Sequence, residues 1–221
     1  MAAVEDMHPL DPFPSSEFDE WAESYDASVS VDQFPFYGYR DVLRQVVALA
    51  EPHPGLSVLD LGTGTGNLAL RFTAQGCDVW CTDFSTPMLE KARQKLPAAH
   101  LILHDLRGAW PPGLDRLFDC IVSAYVLHHF ELEEKVRILQ SLVSERLVPG
   151  GRLIIADIAF PNRASLEQVK AGVGDEWEHE FYWLADKSLA ALTKAGLHAE
   201  YTQVSVCAGI FILPSGRNKP G

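Results

Sequence analysis

Residues 57–67 combine the residue types that a cofactor site needs. An apolar run that contains Asp60 ends where three glycines follow at alternating positions, Gly62, Gly64 and Gly66. Glycine has no Cβ, so the backbone can turn sharply and approach a ligand closely, and a helix that begins after the turn directs unpaired N–H groups at a negative charge. The stretch predicts a site for a nucleotide-like cofactor. Packing between helix and sheet is the alternative role of the glycines.

The glycine spacing differs from the dinucleotide fingerprint G-x-G-x-x-G, whose third glycine would fall at Asn67. Asp83 ends the next apolar run, residues 77–83. A carboxylate at the end of a second strand can accept hydrogen bonds from both ribose hydroxyls of NAD or of another adenosine-bearing cofactor. The acid therefore predicts an adenosine site without choosing between these cofactors.

Two adjacent histidines, His128 and His129, follow a later apolar run at residues 118–124. An imidazole can take a proton from a hydroxyl or a thiol near neutral pH, and ligands of open α/β sheets bind outside the carboxyl ends of the strands. Both histidines, with Tyr125, are therefore candidate catalytic residues; packing at the start of the next helix is the alternative. Adjacent histidines point in different directions on a strand or a helix, and no spaced cysteine or carboxylate set accompanies them, so we expect no metal site.

The sheet that would position these residues can be read from the alternation of apolar and helical patterns. Strand and helix patterns alternate up to a fifth strand at residues 151–157. Residues 197–206 and 208–213 are joined with no room for a crossover helix, so they must form an antiparallel hairpin. The predicted fold class is α/β, a doubly wound, seven-stranded, mostly parallel sheet with a C-terminal antiparallel hairpin. NAD-binding folds usually continue in parallel, which is a second argument against NAD.

Residues 58–66, Val-Leu-Asp-Leu-Gly-Thr-Gly-Thr-Gly, resemble the first motif of the class I S-adenosylmethionine-dependent methyltransferases at nearly every position. The Trp-Ala-x-x-Tyr-Asp sequence at residues 21–26, the histidine pair before a Glu-Glu-Lys helix and the closing hairpin resemble small bacterial methyltransferases of the YrrT-like type. The resemblance covers about residues 17–213. It implies a Rossmann-like fold, S-adenosylmethionine as cofactor and S-adenosylhomocysteine as product. The departures are Asp83, where a glutamate is common, and the tryptophan-rich stretch around residue 177, so no substrate is carried over.

The resemblance places the cofactor contacts at the strand ends. Asp83 would hold the ribose, Asp105 would reach the adenine amino group, and the backbone N–H of Leu106 would contact a ring nitrogen. Met88 would face the adenine, with core packing as its alternative, and Asp105 could instead serve as a helix cap or a solvated acid. The expected cofactor-binding residues are Tyr25, Asp60, Gly62, Thr63, Gly64, Asn67, Asp83, Phe84, Met88, Asp105, Leu106 and Ser123.

Two regions outside the cofactor framework are expected to select the acceptor. Residues 17–50 are predicted to form an N-terminal helical lid, and their aromatic residues at helical spacing are equally consistent with a helix packed on the core. An insertion at about residues 160–186 is expected to cover the pocket, with Trp177, His179 and Tyr182 as candidate substrate contacts. A solvated helix face with aromatic anchors is the alternative for this stretch.

Length and composition predict one compact domain over residues 1–221, with an irregular leader at 1–16 and a loose tail at 214–221. The resemblance implies that this is a methyltransferase domain with a Rossmann-like core at 56–213. The formal net charge of −12 and the absence of a lysine and arginine cluster make nucleic acid an unexpected partner. Four cysteines without a spaced framework, no apolar run long enough for a membrane span and no signal-peptide pattern predict a cytoplasmic protein without membrane contact. A monomer or a homodimer is expected.

These features predict an S-adenosylmethionine-dependent methyltransferase that methylates O, N or S of a small metabolite by in-line displacement. Members of the resembled family that modify DNA or glutamine carry an N-P-P-Y type sequence after the fourth strand, where this chain has Ser-Ala-Tyr-Val. The difference points away from amino groups on extruded bases. The alternatives are a methyltransferase that acts on protein or RNA, and a non-catalytic protein that binds S-adenosylmethionine or S-adenosylhomocysteine.

Overall fold

The computed structural model describes residues 15–216, so residues 1–14 of the expected leader and 217–221 of the expected tail lie outside the described residues, and the first helix already begins at Ser15 within the expected leader. The strands are β1 (Ser57–Leu61), β2 (Asp78–Asp83), β3 (His100–Leu103), β4 (Phe118–Ala124), β5 (Leu147–Phe160), β6 (Trp183–Leu184), β7 (Glu200–Gln203) and β8 (Ala208–Pro214). The α-helices are α1 (Ser15–Trp21), α2 (Tyr25–Ser28), α3 (Tyr39–Ala50), α4 (Ala69–Thr73), α5 (Thr86–Lys95), α6 (Leu132–Ser141), α7 (Arg163–Val173) and α8 (Ala185–Lys194). Within this part of the chain, no helix combines the length and the apolar character needed to cross a membrane.

The strands form a sheet in the order β3-β2-β1-β4-β5-β8-β7. The pairs from β3 to β5 are parallel, and β8 is antiparallel to both β5 and β7. The chain order reverses between β1 and β4, and such a switch point is where ligands bind in open α/β sheets. The predicted mostly parallel sheet with a closing antiparallel hairpin is confirmed.

Two details of the sheet differ from the prediction. Strand β5 runs from Leu147 to Phe160, longer than the predicted 151–157, because Leu147 already pairs with Phe118 across an irregularity in register. The two-residue strand β6 pairs in parallel with the end of β5 and was not predicted. It is too short to have a periodic pattern in the sequence.

Helices cover both faces of the sheet, and alternate residues of each central strand contribute to opposite cores. Val122 belongs to the core beneath α3, α4 and α5, whereas its neighbour Ile121 belongs to the core beneath α6 and α8. Strands buried on both faces need continuous apolar runs, which explains why β1 and β4 read that way in the sequence. The same burial makes a polar residue inside these strands noteworthy, and Asp60 is one.

Candidate functional site

A cavity of about 520 Å³ lies at the carboxyl ends of the parallel strands. This volume falls within the range of small-molecule sites, roughly 300–1,000 Å³. The residues singled out from the sequence that line it are Tyr25, Gly62, Gly64, Asp83, Phe84, Met88, Asp105, Leu106, Tyr125, His128, His129 and His179. Those that do not line it are Asp60, Thr63, Asn67, Ser123, Trp177 and Tyr182. The structure therefore brings the two expected ends of the site, cofactor and acceptor, into one cavity.

The glycine turn after β1 requires glycine for two different reasons. Gly62 and Gly64 have φ angles of +63° and +55°, which other residues rarely adopt. A Cβ on Gly62 would lie 2.4 Å from a methyl carbon of Val126, so this glycine allows close packing. A Cβ on Gly64 would come no closer than 4.0 Å to the ring of Tyr25, so this glycine leaves space at the cavity wall. The space at Gly64 is what a bound cofactor would use.

Asp83 lies at the end of β2 with both carboxylate oxygens fixed by backbone donors. The N–H of Gly64 donates to Oδ2 at 2.8 Å, and the N–H of Ser85 donates to Oδ1 at 2.9 Å. Burial raises the pKa of Asp83 to about 6, although these hydrogen bonds oppose the shift. A carboxylate has about four lone-pair sites, so each oxygen can still accept from a ligand hydroxyl. The residue thus fits the expected ribose contact.

Met88, Asp105 and Leu106, the residues expected at the adenine, line the cavity. The side chain of Ser85 caps α5 by accepting the N–H of Met88 at 3.3 Å. Met88 is buried and also lines the cavity, so it contributes to the core and to the cavity wall. Asp105 accepts the N–H of Arg107 at 2.9 Å and thereby closes its own turn. A carboxylate has about four lone-pair sites, so this hydrogen bond leaves Asp105 able to accept others.

Asp60 lies beneath the glycine turn and stabilises it from below. The hydroxyl of Thr63 donates to its Oδ2 at 2.7 Å. Burial raises the pKa of Asp60 to about 7, and the negative charge of Asp83 acts in the same direction. Asp60 and Thr63 therefore shape the turn and do not face the cavity.

Asp60→Asn is expected to stabilise the ligand-free protein more at pH 8 than at pH 5. The folded pKa lies above that of an unfolded aspartate, so this carboxyl contributes stability that is complete below about pH 4 and is lost as the pH rises through about 7. A pKa difference of one corresponds to about 1.4 kcal/mol, so the full effect is about 4 kcal/mol, of which about 3 kcal/mol falls between pH 5 and pH 8. Thermal denaturation of both proteins at both pH values measures it. A difference in Tm that does not change with pH would contradict the assignment.

Asp26 of α2 holds this helix against the glycine turn. Its carboxylate accepts hydrogen bonds from Thr65 at 2.6 Å, Asn67 at 3.0 Å and the ammonium of Lys95 at 2.6 Å. Partial burial would raise the pKa of Asp26, but these three donors outweigh it and lower the pKa. We call Asp26, Thr65, Asn67 and Lys95 the lid clasp. Asn67 is thus part of the clasp and lies outside the cavity.

Two further polar contacts join α1 and its following turn to α5. Ser85 donates its hydroxyl to Asp19 at 2.6 Å, and the Lys91 ammonium lies 2.7 Å from the Glu23 carboxylate. Phe18 of α1 also packs edge-on against Phe84, with ring centroids 5.0 Å apart. Helix α1 therefore packs on the rest of the domain, and its residues Phe18 and Trp21 also line the cavity. These contacts agree with both interpretations of the opening helix, a lid and a helix packed on the core.

The two histidines lie in a single turn of 3₁₀ helix, Leu127–His129, directly after β4. Their ring centroids are 4.0 Å apart. Glu180, from the segment before β6, approaches both, with an oxygen 3.8 Å from Nε2 of His128 and the other 3.5 Å from Nδ1 of His129. We call His128, His129 and Glu180 the His–His–Glu cluster. The expectation that the two side chains diverge is wrong, because it assumed a regular strand or helix.

Asp157 of β5 fixes the orientation of His128. Its Oδ1 lies 2.5 Å from Nδ1 of His128 and accepts the N–H of Ile158 at 2.9 Å, and its Oδ2 accepts the indole N–H of Trp183 at 2.9 Å. Burial opposes charge on both partners, but their mutual attraction outweighs it, so the pKa of His128 is raised and that of Asp157 is lowered. Nδ1 of His128 is thereby occupied, and Nε2 faces Glu180.

His129 has a different environment. Burial lowers its pKa to about 2, and the positive charges of His128 and Arg107 contribute in the same direction. Its ring packs edge-on against Phe18 with centroids 5.2 Å apart. His129 is therefore neutral near pH 7, and the raised pKa of His128 makes it the stronger base of the two.

Lys135 of α6 is a buried cation behind the His–His–Glu cluster. Its ammonium donates to the carbonyl of Phe181 and lies 4.4 Å from the ring centroid of Trp183. Burial lowers the pKa of Lys135 to about 8, although Asp157 and Glu180 oppose the shift. The N–H of Phe181 also donates to the carbonyl of His128 at 3.0 Å. Lys135 thus anchors the segment that carries Glu180.

Three of the sequence candidates have structural contacts in place of a cavity position. The Ser123 hydroxyl donates to the carbonyl of Leu61 at 3.0 Å and ties β4 to β1. Trp177 stacks on Phe34 with centroids 4.9 Å apart, and Tyr182 packs against Trp177 at 5.1 Å. This aromatic cluster supports the segment 178–180, of which His179 lines the cavity as expected.

Tyr125 occupies a strained position at the cavity wall. Its φ angle is +59°, which is uncommon for a residue other than glycine. Its ring packs against Phe36 and Tyr39, and its buried hydroxyl has no hydrogen-bond partner within residues 15–216. Burial raises its pKa well above the usual value, so the hydroxyl stays protonated.

Sequence reasoning missed Asp157, Glu180 and Lys135. Asp157 closes the predicted fifth strand in the same manner as Asp83 closes the second, and this signal could have identified it. Glu180 lies in an acid-rich stretch in which no pattern distinguishes one acid from the next. Lys135 occupies a helix that reads as charged and exposed, yet the residue is 1% exposed.

The profile of a family described as "Methyltransferase domain" matches residues 58–151. Over 200 residues the chain is 34% identical to an uncharacterized methyltransferase of Geobacillus kaustophilus, a match that covers 84% of this chain and 89% of the relative. The chain belongs to the methyltransferase family. A second methyltransferase relative, from Geobacillus sp. strain WCH70, is 36% identical over 175 residues, which cover 76% of this chain and 77% of that protein.

Solved structures show that the methyltransferase has the class I fold. The complex of DhpI with S-adenosylhomocysteine has a TM-score of 0.68 at 20% identity, covering 92% of this chain and 96% of that one. The magnesium protoporphyrin IX methyltransferase of Synechocystis, also with S-adenosylhomocysteine, has a TM-score of 0.67 at 18% identity, covering 91% and 98%. The [4+2]-cyclase SpnF has a TM-score of 0.68 at 16% identity, covering 95% and 98%, so this fold alone does not determine the reaction.

Family membership and fold together confirm the resemblance drawn from the sequence. The methyltransferase is an enzyme of the class I type with S-adenosylmethionine as its cofactor, and it requires a methyl acceptor. The glycine turn that identified the family lies within the matched residues 58–151. The cavity fits the cofactor, because Gly64 leaves space at its wall and Asp83 presents a fixed acceptor there.

Proposed function

We propose that this methyltransferase methylates an oxygen, nitrogen or sulfur atom of a small metabolite. The observation that carries the proposal is the cover over the cavity. Residues of α1, of α2 and of the segment 178–180 line one cavity of about 520 Å³ together with the strand ends. A small molecule fits such a space beside the cofactor, whereas a folded macromolecule would have to displace the cover.

The same proposal assigns the cofactor-holding residues. Asp83 accepts from the ribose, Asp105 and Leu106 contact the adenine, and the turn at Gly62 and Gly64 adjoins the methionine portion. When bound, S-adenosylmethionine supplies an electrophilic methyl group on a positively charged sulfur. The chain itself contributes positioning in a cavity that excludes bulk water, an effect that can supply on the order of 7–11 kcal/mol.

The aromatic rings of Tyr25 and Tyr125 line the cavity and can stabilise a nearby cation by about 0.5–2 kcal/mol each. We propose that the acceptor lies at the His–His–Glu cluster, whose three residues line the same cavity. His128 is a better candidate base than His129, because Asp157 holds its Nδ1 and leaves Nε2 to face the cavity side. His129 and Tyr125 then shape the acceptor space.

Incubation with S-adenosylmethionine labelled on its methyl group and a bacterial extract tests the acceptor class. We expect the label in the small-molecule fraction of the extract, because the cavity of about 520 Å³ has room only for a small acceptor beside the cofactor. The extract's protein and RNA fractions, tested separately, are the matched controls. Label found only in the protein fraction or only in the RNA fraction would contradict the proposal. If the acceptor were RNA, the affinity for it would also fall steeply as the salt concentration rises.

The lid clasp gives a prediction on cofactor affinity. Asp26→Asn is expected to raise the Kd for S-adenosylhomocysteine about fivefold, because Tyr25 next to it lines the cavity and loses its anchor when the pair with Lys95 is broken. Isothermal titration calorimetry measures the change. Asp41→Asn removes an exposed ion pair of similar length with Arg44 on α3 and serves as the control. Equal Kd values for the two variants would show that the clasp does not support the site.

A further inference from the structure

Two separate segments of the chain converge on one point at the acceptor end of the cavity. The 3₁₀ turn supplies His128 and His129, and the segment before β6 supplies Glu180. One ligand atom from each of the three residues lies within 4.8 Å of the other two. We propose that the His–His–Glu cluster binds a divalent transition-metal cation such as Zn²⁺, Mn²⁺ or Co²⁺.

The distances suit such a cation after small side-chain movements. A metal bound about 2.1 Å from each of two imidazoles and a carboxylate needs ligand atoms roughly 3.0–3.5 Å apart. Glu180 is 3.5 Å from Nδ1 of His129 and 3.8 Å from Nε2 of His128. Two imidazoles and one carboxylate form a donor set that suits these borderline cations better than Mg²⁺ or Ca²⁺, which prefer oxygen ligands.

Asp157 gives the cluster the outer shell that metal sites commonly have. Metal-bound histidines usually donate their other N–H to a carboxylate or carbonyl, which fixes the tautomer and the ring orientation. The contact of 2.5 Å between Nδ1 of His128 and Asp157 is of this kind, and Trp183 and Ile158 in turn fix the carboxylate. The lone pair of Nε2 is thereby presented on the side of Glu180.

The backbone also holds the two segments together. Phe181, the neighbour of Glu180, donates its N–H to the carbonyl of His128 at 3.0 Å and accepts from the buried ammonium of Lys135. Glu180 is thus carried by a segment that is hydrogen-bonded to the backbone of His128. This preorganisation is what distinguishes the cluster from a chance meeting of exposed acids and histidines.

The charges around the cluster leave room for a cation. Asp157 and Glu180 bring two negative charges, and Lys135 brings one positive charge that is engaged by the Phe181 carbonyl and the Trp183 ring. Arg107 adds a second positive charge, with its guanidinium 4.6 Å from the Phe130 ring centroid and 4.0 Å from the Glu134 carboxylate. Counting Asp157, Glu180 and Glu134 against Lys135 and Arg107, the surroundings of the cluster carry one net negative charge, which favours a cation.

The function of the cation follows from its place and rests on the proposed function. Three protein ligands leave at least one coordination position toward the cavity, as in catalytic metal sites. An acceptor hydroxyl or thiol bound there would lose its proton more easily, and the proton would pass to solvent or to a neighbouring base. With the cation bound, both imidazoles act as ligands, so His128 no longer acts as the base. The cation instead lowers the pKa of the acceptor group.

Titration of the full-length protein with CoCl₂ and ZnCl₂ after chelator treatment tests the proposal without an activity assay. We expect one equivalent of Co²⁺ to bind with visible absorption bands of a four- or five-coordinate site, and Zn²⁺ to displace it. Glu180→Gln and His128→Ala are expected to weaken Co²⁺ binding at least 100-fold. Asp157→Asn, which leaves all three ligands in place, is expected to weaken it about 10- to 100-fold.

His198→Ala removes an exposed histidine outside the cavity and is the matched control, with unchanged Co²⁺ binding expected. Binding of S-adenosylhomocysteine is measured on the same samples. Absence of saturable Co²⁺ binding, or binding that Glu180→Gln leaves intact in a protein with wild-type Tm, would overturn the metal site. Failure to bind S-adenosylhomocysteine while Co²⁺ binds as expected would overturn the proposed function and leave the metal site standing.

Discussion

Asp83→Asn is expected to raise the Kd for S-adenosylmethionine about 100-fold, or about 2.7 kcal/mol. The carboxylate already accepts the N–H groups of Gly64 and Ser85, one on each oxygen. An asparagine has one oxygen and one NH₂ group, so the NH₂ must face one of these donors and cannot accept from a ribose hydroxyl. Calorimetry with S-adenosylhomocysteine measures the loss without interference from turnover.

Asp83→Glu is the matched control for this prediction. The family resemblance has glutamate commonly at this position, so we expect the Kd to remain within about tenfold of the wild type. Equal losses for asparagine and glutamate would show that shape, and not the second acceptor oxygen, determines affinity. Unchanged affinity of Asp83→Asn would contradict the ribose assignment.

The pH dependence of cofactor binding provides a second view of the same carboxylate. The pKa of Asp83 in the ligand-free protein is about 6, and the charged form is the one that accepts from both hydroxyls. Affinity for S-adenosylhomocysteine is therefore expected to fall as the pH drops below about 6 and to be constant above about 7. Calorimetry in buffers of different ionisation enthalpy should show proton release on binding near pH 6. Affinity that rises on acidification would contradict this account.

His128→Ala is expected to lower kcat by about 10²- to 10⁴-fold once an acceptor is known, the usual contribution of a positioned general base. Both roles proposed for this residue, as base and as metal ligand, require its Nε2, so the expected loss is large in either case. The KM for S-adenosylmethionine should stay nearly constant, because the cofactor end of the cavity is formed by other strands. Steady-state kinetics measures both parameters.

His129→Ala separates the two roles of the cluster. If His128 acts alone as a base, His129→Ala should change kcat by less than about tenfold, since a neutral imidazole packed on Phe18 contributes only shape. If the cluster holds a cation, His129→Ala should lower kcat about as much as His128→Ala, and added Zn²⁺ or Mn²⁺ should not restore it. A His128→Ala enzyme with wild-type kcat would contradict both roles.

Most of the residues that line the cavity around Asp83 could be predicted from the sequence, because their signals are local. The glycines, Asp83 and Asp105 each follow an apolar strand, and parallel strands place their carboxyl ends at one edge. Even there, residue type was more predictable than residue role. Asp60 and Asn67 were expected to contact the cofactor, whereas in the structure Asp60 accepts a hydrogen bond from Thr63 of the turn and Asn67 donates one to Asp26 of α2.

The acceptor end could not be predicted because it depends on contacts between distant segments. Glu180 approaches His128 across 52 positions of sequence, by way of a two-residue strand that has no periodic pattern. Lys135 lies on the same face of α6 as the buried Leu139, at a position where an apolar residue is expected. Burial and convergence of this kind arise from tertiary packing, which local propensity does not encode.

The central claim is that the cofactor and the acceptor bind in one cavity. A crystal structure of the complex with S-adenosylhomocysteine tests this claim most directly. We predict adenosine between Asp83 and Asp105, the amino-acid portion along the turn at Gly62 and Gly64, and the sulfur facing the His–His–Glu cluster. An empty cavity at saturating ligand, or an adenosine bound away from Asp83, would contradict the account.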